Sequence, residues 1–273
     1  MIFQRVNSYK YYQDFVDMLR NVFKRLTLIL DGVPCIKITD PEVKRIFIEK
    51  YDKDGNGEIN VSESENLNIG ICFYQNKKIK TFNEIKKFKG LHTNNSNSFA
   101  ESTIEEIEFA AGQYLEAVAF ANCLNLRHIV LPSDMTKLNW FNNNPALETI
   151  DLPDTITHID ANQLSYSGLK EFTLPPRMTK VTAGLCQYCD KLEKVTILSE
   201  ISSLELNAFK GSANIKSFIL YTIIPPTLVW GALSDTNLYM KIYVPDESVD
   251  AYKTATGWKS RFEYIYPLSQ YKG

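Results

Sequence analysis

Residues 52–63 read DKDGNGEINVSE, and they set oxygen donors at the intervals that a hard divalent cation requires. A twelve-residue calcium loop takes oxygens from positions 1, 3, 5, 7, 9 and 12, with glycine at position 6 for the sharp turn. Asp52, Asp54 and Asn56 supply side-chain oxygens, Gly57 makes the turn, and Glu58 offers its backbone carbonyl. Asn60 stands where a water often bridges, Glu63 can close the site with both carboxylate oxygens, and Ile59 at position 8 would point into a core. The expected cofactor is calcium, bound by Asp52, Asp54, Asn56, Glu58 and Glu63. An acidic Asn/Gly turn without metal needs the same small residues but has no use for an acid at position 12.

Such a loop needs a helix leading into it. Asp40-Pro41-Glu42 is a helix start, with an N-cap acid, proline at the first helical position and an acidic first turn. Val43, Ile46, Phe47 and Lys50 follow at helical spacing, which completes the first half of an EF-hand. Downstream the helical pattern weakens, and Ile69-Gly70-Ile71-Cys72-Phe73-Tyr74 is rich in strand formers, so the exiting helix is expected to be short. No second loop of this kind occurs in the sequence, which favours a structural ion over a sensor.

Other residues with chemical potential lack partners. Cys186 and Cys189 have the C-x-x-C spacing of a redox pair or half a zinc site, but no second half follows. His92, His128 and His158 are the three histidines, without a metalloprotease pairing or a nucleophile motif. Asp151, Asp154, His158 and Asp160 lie close in sequence, yet the register below predicts that they diverge. No glycine-rich phosphate loop occurs. The expectation is a protein that is not an enzyme.

A chain of 273 residues with 44% hydrophobic and 23% charged residues has the composition of a soluble globular protein, and its net charge of −2 gives no broad attraction to nucleic acid or an anionic membrane. The apolar run Leu26–Leu30 is cut off by Asp31, which excludes a membrane span there, and neither a signal peptide nor a lipid-attachment box is visible before Cys35. Five cysteines at scattered spacings argue against a disulfide framework.

The second half of the chain is periodic. Segments resembling LETIDLP and LKEFTLP begin at Ile104, Leu126, Leu147, Leu169, Leu192, Ile215 and Tyr239, at intervals of 22, 21, 22, 23, 23 and 24 residues. Apolar residues stand three and five places after every start, from Ile107 and Phe109 to Ile242 and Val244. Each pair is a short strand burying one face, which it can do only against a stacked neighbour. Met135, Ile156, Met178 and Ile201 stand nine places after four of the starts, and Leu138, Ile159, Val181 and Leu204 twelve places after them, predicting a return segment that lines the same core. Pro132, Pro153, Pro175 and Pro245 follow the strand, where a missing N–H ends ladder pairing. The predicted fold is an α/β repeat solenoid, mostly β, with units of about 22–23 residues.

In that solenoid the residues two and four places after each start face outward. One row contains Glu106, His128, Thr149, Glu171, Lys194, Ser217 and Lys241; the other contains Glu108, Val130, Asp151, Thr173, Thr196, Ile219 and Tyr243. The candidate binding surface is Glu106, His128, Asp151, Glu171, Lys194 and Tyr243, whose mixture suits a protein partner better than a phosphate-rich one.

The repeat pattern, with punctuation such as Ala119-Phe120-Ala121-Asn122-Cys123 and Ala208-Phe209, resembles the BspA-like leucine-rich repeat proteins from about Phe99 to the end. The stretch IYVPDESVDAYKTATGWKSRFEYIYPL is similar to the closing segment of such proteins, with a capped helix from Asp246 to Thr256. The lead-in, a helix, one calcium loop and IKTFNEIKKFKGL, is similar to surface proteins of Bacteroides-type gut bacteria. The resemblance implies a leucine-rich repeat solenoid with an N-terminal helical, EF-hand-containing cap and a C-terminal helical cap. It also implies a cell-surface or secreted protein that binds a protein or glycan partner, in the manner of an adhesin.

At the start of the chain, Tyr12, Val16, Leu19, Phe23, Leu26 and Leu30 recur at steps of four and three, ending before Gly32. This stripe is expected to pack within the molecule as an end cap, leaving a monomer; a dimerising coiled coil is the alternative. The predicted organisation is an N-terminal helix and linker over 1–39, a calcium-loop cap over 40–100, the solenoid over 101–245 and a C-terminal cap over 246–273. The leading function is a calcium-binding module for a protein or glycan ligand. The alternative is an assembly role, with the calcium module and first helix docking onto another bacterial protein.

Overall fold

The computed structural model describes residues 2–30, 34–93, 97–115, 120–139 and 141–272. Helix α1 (Ile2–Leu30) is followed by strand β1 (Cys35–Ile36), helix α2 (Pro41–Tyr51) and strand β2 (Ile59–Asn60). A stacked series of coils then carries β3 (Glu106–Glu108), β4 (His128–Val130), β5 (Glu171–Leu174), β6 (Lys194–Ile197), β7 (Ser217–Leu220), β8 (Lys241–Val244) and β9 (Ile265–Pro267), with the short helix α3 (Val249–Thr254) between the last two. The pairing is parallel throughout these coils, with β3 beside β4 and an unbroken sheet from β5 to β9.

The predicted apolar register is realised. Glu171 pairs with Lys194, Lys194 with Ser217 and Ser217 with Lys241, so each strand sits one repeat above the last without slippage. Of the fourteen strand positions expected inside, Ile150 and Leu152 are half-buried and the other twelve are buried. The return positions Leu138, Ile159, Val181 and Leu204 are all buried. Hydrogen bonding between coils also extends before residue 101, through bridges from Asn68 to His92 and from Thr81 to Glu106.

Two further ladders hold the turns. Phe73, Phe99 and Phe120 stack nearly parallel, with centroids 5.1 and 5.0 Å apart, and Phe141 continues the column at 5.2 Å. Beside it runs a file of small polar residues, Ser102, Cys123, Asn144, Ser167, Cys189, Ser212 and Thr236, all buried. These residues satisfy backbone groups that the tight turns strand in the core: Asn144 Oδ1 accepts from Cys123 N at 3.1 Å, and Ser212 Oγ accepts from Cys189 N at 3.0 Å and donates to the Cys186 carbonyl at 2.7 Å. Each of these turns also needs a left-handed residue, supplied by Glu101, Asn122, Asn143, Tyr166, Tyr188, Gly211 and Asp235.

The structure corrects three expectations. The segment 69–74, rich in strand formers, forms turns, because Phe73 must point inward to start the aromatic column. The coil at 147–152 forms no strand, so the sheet is interrupted between β4 and β5. Helix α1 does not bury its stripe: Tyr12 is 62% exposed, Phe23 67% and Leu26 48%. Its contact with the cap includes a bond from Lys24 Nζ to the Asp54 carbonyl. Gly32 lies outside the described residues, as does Ala119, and nothing is described of the Leu30 side chain.

Candidate functional site

The calcium-type loop is built from both ends. Asp40 caps α2, its Oδ1 accepting from Glu42 N at 2.9 Å and Val43 N at 3.1 Å. Its other oxygen accepts from Lys80 N at 2.9 Å and Thr81 N at 3.2 Å, which fastens the helix to the first coil. Glu42 lies in the same first turn, and hydrogen bonds from Arg45 and then Asn76 hold its carboxyl down at about 2. At the far end of α2 the chain turns at Asp52, whose Oδ1 accepts from Gly55 N at 2.7 Å and Asn56 N at 3.1 Å and whose Oδ2 accepts from Gly57 N at 2.8 Å. Gly57 has φ +80° with open space where a Cβ would stand, so it is the backbone conformation that asks for glycine there.

Position 12 closes the loop. Glu63 is 4% exposed; its Oε1 accepts from Lys53 N at 2.7 Å and Asp54 N at 3.2 Å, and its Oε2 from Asn60 N at 3.1 Å. One oxygen each from Asp52, Asp54 and Glu63 lies within 4.8 Å of the others. Asn56 is turned inward and its Oδ1 accepts from Glu58 N at 2.7 Å. The Glu58 carboxylate is engaged by Lys44 Nζ at 2.9 and 3.1 Å, so the group that Glu58 can offer to the loop is its carbonyl. Three carboxylates this close repel one another by roughly 1–3 kcal/mol per pair at surface dielectrics. Their oxygens are bonded to backbone amides and to the Asn60 amide, 3.5 Å from Asp54, with no cationic side chain bridging them among the described residues. An all-oxygen donor set with three negative charges fits a hard divalent cation.

The expected short exiting helix is replaced by turns over 61–66. A pairing that the sequence reading did not anticipate supports the loop instead. Ile59, at position 8, pairs antiparallel with Ile36, and Asn60 with Cys35, so β1 braces the loop from outside it. A two-residue strand carries too little periodicity to be recognised before the fold is known.

The outward face of the solenoid forms the second candidate site. Glu106 pairs in register with His128, and Glu171 with Lys194, the latter joined by a 2.7 Å ion pair. The interruption at 147–152 opens a cleft on each side of that segment. One, of about 460 Å³, is lined by His128, Val130, Thr149 and Asp151; the other, of about 430 Å³, by Asp151, Lys170, Glu171 and Thr173. Asp151 therefore joins His128 and Glu171 on one surface. Tyr243 does not belong to it. With Ile219 beside it in register, Tyr243 is buried, because the C-terminal segment folds back and sets Tyr266 and Tyr271 against its ring at 5.9 and 4.9 Å. The outward rows are thus open from Glu106 to Lys194 and covered at Ile219 and Tyr243.

The remaining chemical candidates are structural. Cys186 and Cys189 are buried free thiols, and Cys189 Sγ donates to the Leu164 carbonyl at 3.0 Å. Burial raises the Cys186 thiol well above its ordinary value and pushes Cys123 up to about 11. Neither is poised as a nucleophile. In an Ellman titration of the native protein at pH 8, exposed Cys35 should react at once and half-buried Cys72 more slowly, with the other three released only on unfolding; prompt reaction of Cys186 or Cys189 would contradict this placement. His158 and Asp160, on the return segment, meet at 2.8 Å on the surface, where both are about half exposed, and diverge from Asp151 as expected. Asp151 and Asp154 line the clefts of the other face.

No curated protein matches the chain. A crystal structure of a leucine-rich repeat protein from Bacteroides ovatus is similar at 17% identity with a TM-score of 0.34, over 67% of this chain and 60% of that one. Residues 92–216 match the BspA type leucine rich repeat region in six copies. Coils of 21–24 residues, most of them with one inward-facing strand and a turn closed by a buried small polar residue, make this solenoid a leucine-rich repeat fold, similar over residues 92–216 to the BspA type leucine rich repeat region.

Proposed function

We propose that this is a non-enzymatic binding protein in which a calcium-loaded cap secures one end of a leucine-rich repeat solenoid, and the outward face of the coils recognises a protein or glycan partner. The observation that carries this reading is the open face from Glu106 to Lys194, where a break in the sheet leaves two clefts bordered by charged and hydroxyl side chains. Concave surfaces of stacked repeats commonly serve binding. Calcium is held by Asp52, Asp54 and Glu63 carboxylates with the Asn56 side chain and the Glu58 carbonyl, and it supplies charge neutralisation that ties the two ends of the loop together. An adhesin-like role at a bacterial cell surface, or after secretion, accords with the repeat family.

The test is retention of partners from host serum and mucus extract on immobilised protein, in calcium and in chelator. The Glu171→Ala/Lys194→Ala double variant should lose most of the retained partner while its melting temperature changes little, since an exposed ion pair contributes about 0–1 kcal/mol. Equal retention by the variant would move binding off this face. An assembly role, with docking onto another bacterial protein, is the second reading. It is favoured by the uncovered apolar stripe of α1, and a partner drawn from bacterial rather than host extract would support it.

A further inference from the structure

The return of the C-terminal segment across Tyr243 leaves a cleft of about 590 Å³ beside it, at the far end of the sheet from the calcium-type loop. That volume lies within the range of small-ligand sites, roughly 300–1,000 Å³. Ser217 on β7 and Lys241 and Tyr243 on β8 line it from the sheet, and residues 270–272, after β9, line it from the returning segment. Ser217 pairs in register with Lys241, so the two side chains stand about 4.8 Å apart on one face, with Tyr243 two places on. Tyr239 lines the cleft just before β8; its ring meets Tyr264 at 5.8 Å and 87°, yet it is 72% exposed.

The charge of this cleft is one-sided. Lys216, Lys241 and Lys272 line it and no acid does. Lys216 is neutralised by Glu193 at 2.8 Å. Lys241 and Lys272 are exposed and have no carboxylate partner among the described residues, whereas Lys170, Lys191 and Lys194 on the neighbouring coils each have one.

We propose that this cleft binds a sugar ring bearing a carboxylate or sulfate group, with Lys241 and Lys272 on the anion and Tyr239 against the ring. The site is separate from the open face between Glu106 and Lys194 and does not rest on it. Sugar C–H bonds are slightly positive and pack against the negative face of an aromatic ring. The Ser217 hydroxyl and the Gln270 amide, neither of them bonded among the described residues, supply donors and acceptors for ring hydroxyls. Asn237 adds its amide hydrogens, because its Oδ1 accepts from Tyr239 N at 3.0 Å. Two other anions fit less well. A phosphate site gathers backbone N–H groups at a helix start or an arginine fork; no arginine lines this cleft, and the amides of its strands are engaged in the ladder. An acidic peptide that docks as an added strand needs an open edge, and β7 and β8 each have a strand on both sides.

The experiment is isothermal titration of the full chain with sialyllactose, sulfated lactose and lactose, which share one disaccharide and differ in the anion. At least one charged sugar should bind about 10-fold or more tightly than lactose, and its affinity should fall as salt rises from about 20 to 300 mM. Comparing the two charged sugars tells carboxylate from sulfate. Lys241→Gln/Lys272→Gln should reduce the charged sugar to the level of lactose, and Tyr239→Ala should weaken both by about 5-fold. His128→Ala/Asp151→Ala, in the clefts of the open face, should change neither. All of these side chains except Asp151 lie on exposed positions or the cleft surface, so the melting temperature should hold in every variant and separates lost binding from lost folding. Absence of charged-sugar binding up to about 10 mM overturns the proposal, as do equal affinity for lactose and binding that survives the lysine substitutions. Tighter binding of inorganic phosphate or of a tetraglutamate peptide than of either charged sugar would give the cleft another occupant and overturn it too.

Discussion

Replacing Asp52 and Glu63 together by alanine should lower the first melting transition by about 10 °C and remove its dependence on calcium. The reasoning is linkage. An ion that binds the folded loop and not the unfolded chain stabilises by about 3–4 kcal/mol when present at hundreds of times its dissociation constant, and each kcal/mol moves the midpoint of a chain this size by roughly 2–4 °C. Both residues meet the loop from opposite ends, Asp52 through the amides of residues 55–57 and Glu63 through those of Lys53, Asp54 and Asn60. Their loss therefore removes donors and loop closure together. Chelation of the wild type should reproduce most of the drop, and isothermal titration should give one calcium site, abolished in the variant. A wild type whose midpoint is the same in calcium and in chelator would sink the structural-ion reading. Because repeats unfold with near-neighbour cooperativity, the loss should appear first in the cap and leave later coils folded.

Phe47→Ala should cost about 3–5 kcal/mol, the usual range for emptying a fully buried phenylalanine site. Phe47 is inaccessible to solvent, and its ring meets Tyr51 at 5.1 Å, Phe82 at 5.2 Å, Phe88 at 5.1 Å and Phe73 at 6.3 Å. Phe73 begins the column that runs through Phe99 and Phe120. The ring thus joins the helix that leads into the loop at 52–63 to the first coils. The polar fastenings beside it, Asp40 to Lys80 and Thr81 and the Tyr51 hydroxyl to the Asn68 carbonyl at 2.8 Å, depend on the same docking. Limited proteolysis of the variant should therefore release the segment before residue 68 and weaken calcium binding, while β-sheet dichroism persists. Phe47→Leu should lose much less. A midpoint shift of the alanine variant below about 2 °C would mean that the cap does not derive its stability from this cluster.

Much of this architecture can be read from the chain before folding. The approach of Asp52, Asp54 and Glu63 to one another is legible because it is local: all three lie within twelve positions of the chain. The inward register from Ile107 to Val244 is legible for a related reason. Each repeat meets a near copy of itself, so one pattern, repeated, fixes every contact between neighbours. The buried file from Ser102 to Thr236 is hidden in the sequence, because Ser, Thr and Asn at that place look like solvent-facing turn residues until the stranded backbone groups they satisfy are known.

What only the tertiary structure decided lies where the chain stops meeting its own copy. Tyr243 has the pattern of an outward residue and is covered because Tyr266 and Tyr271 return across it. Ile150 and Leu152 fit the strand pattern, yet their coil leaves the sheet and opens the clefts beside Asp151. The α1 stripe has the spacing of a packed helix and is left open. Periodicity states which side of an element is apolar, a property of neighbouring residues; which surface then covers that side is set by segments distant in sequence, or by another molecule, and the local pattern carries no record of them.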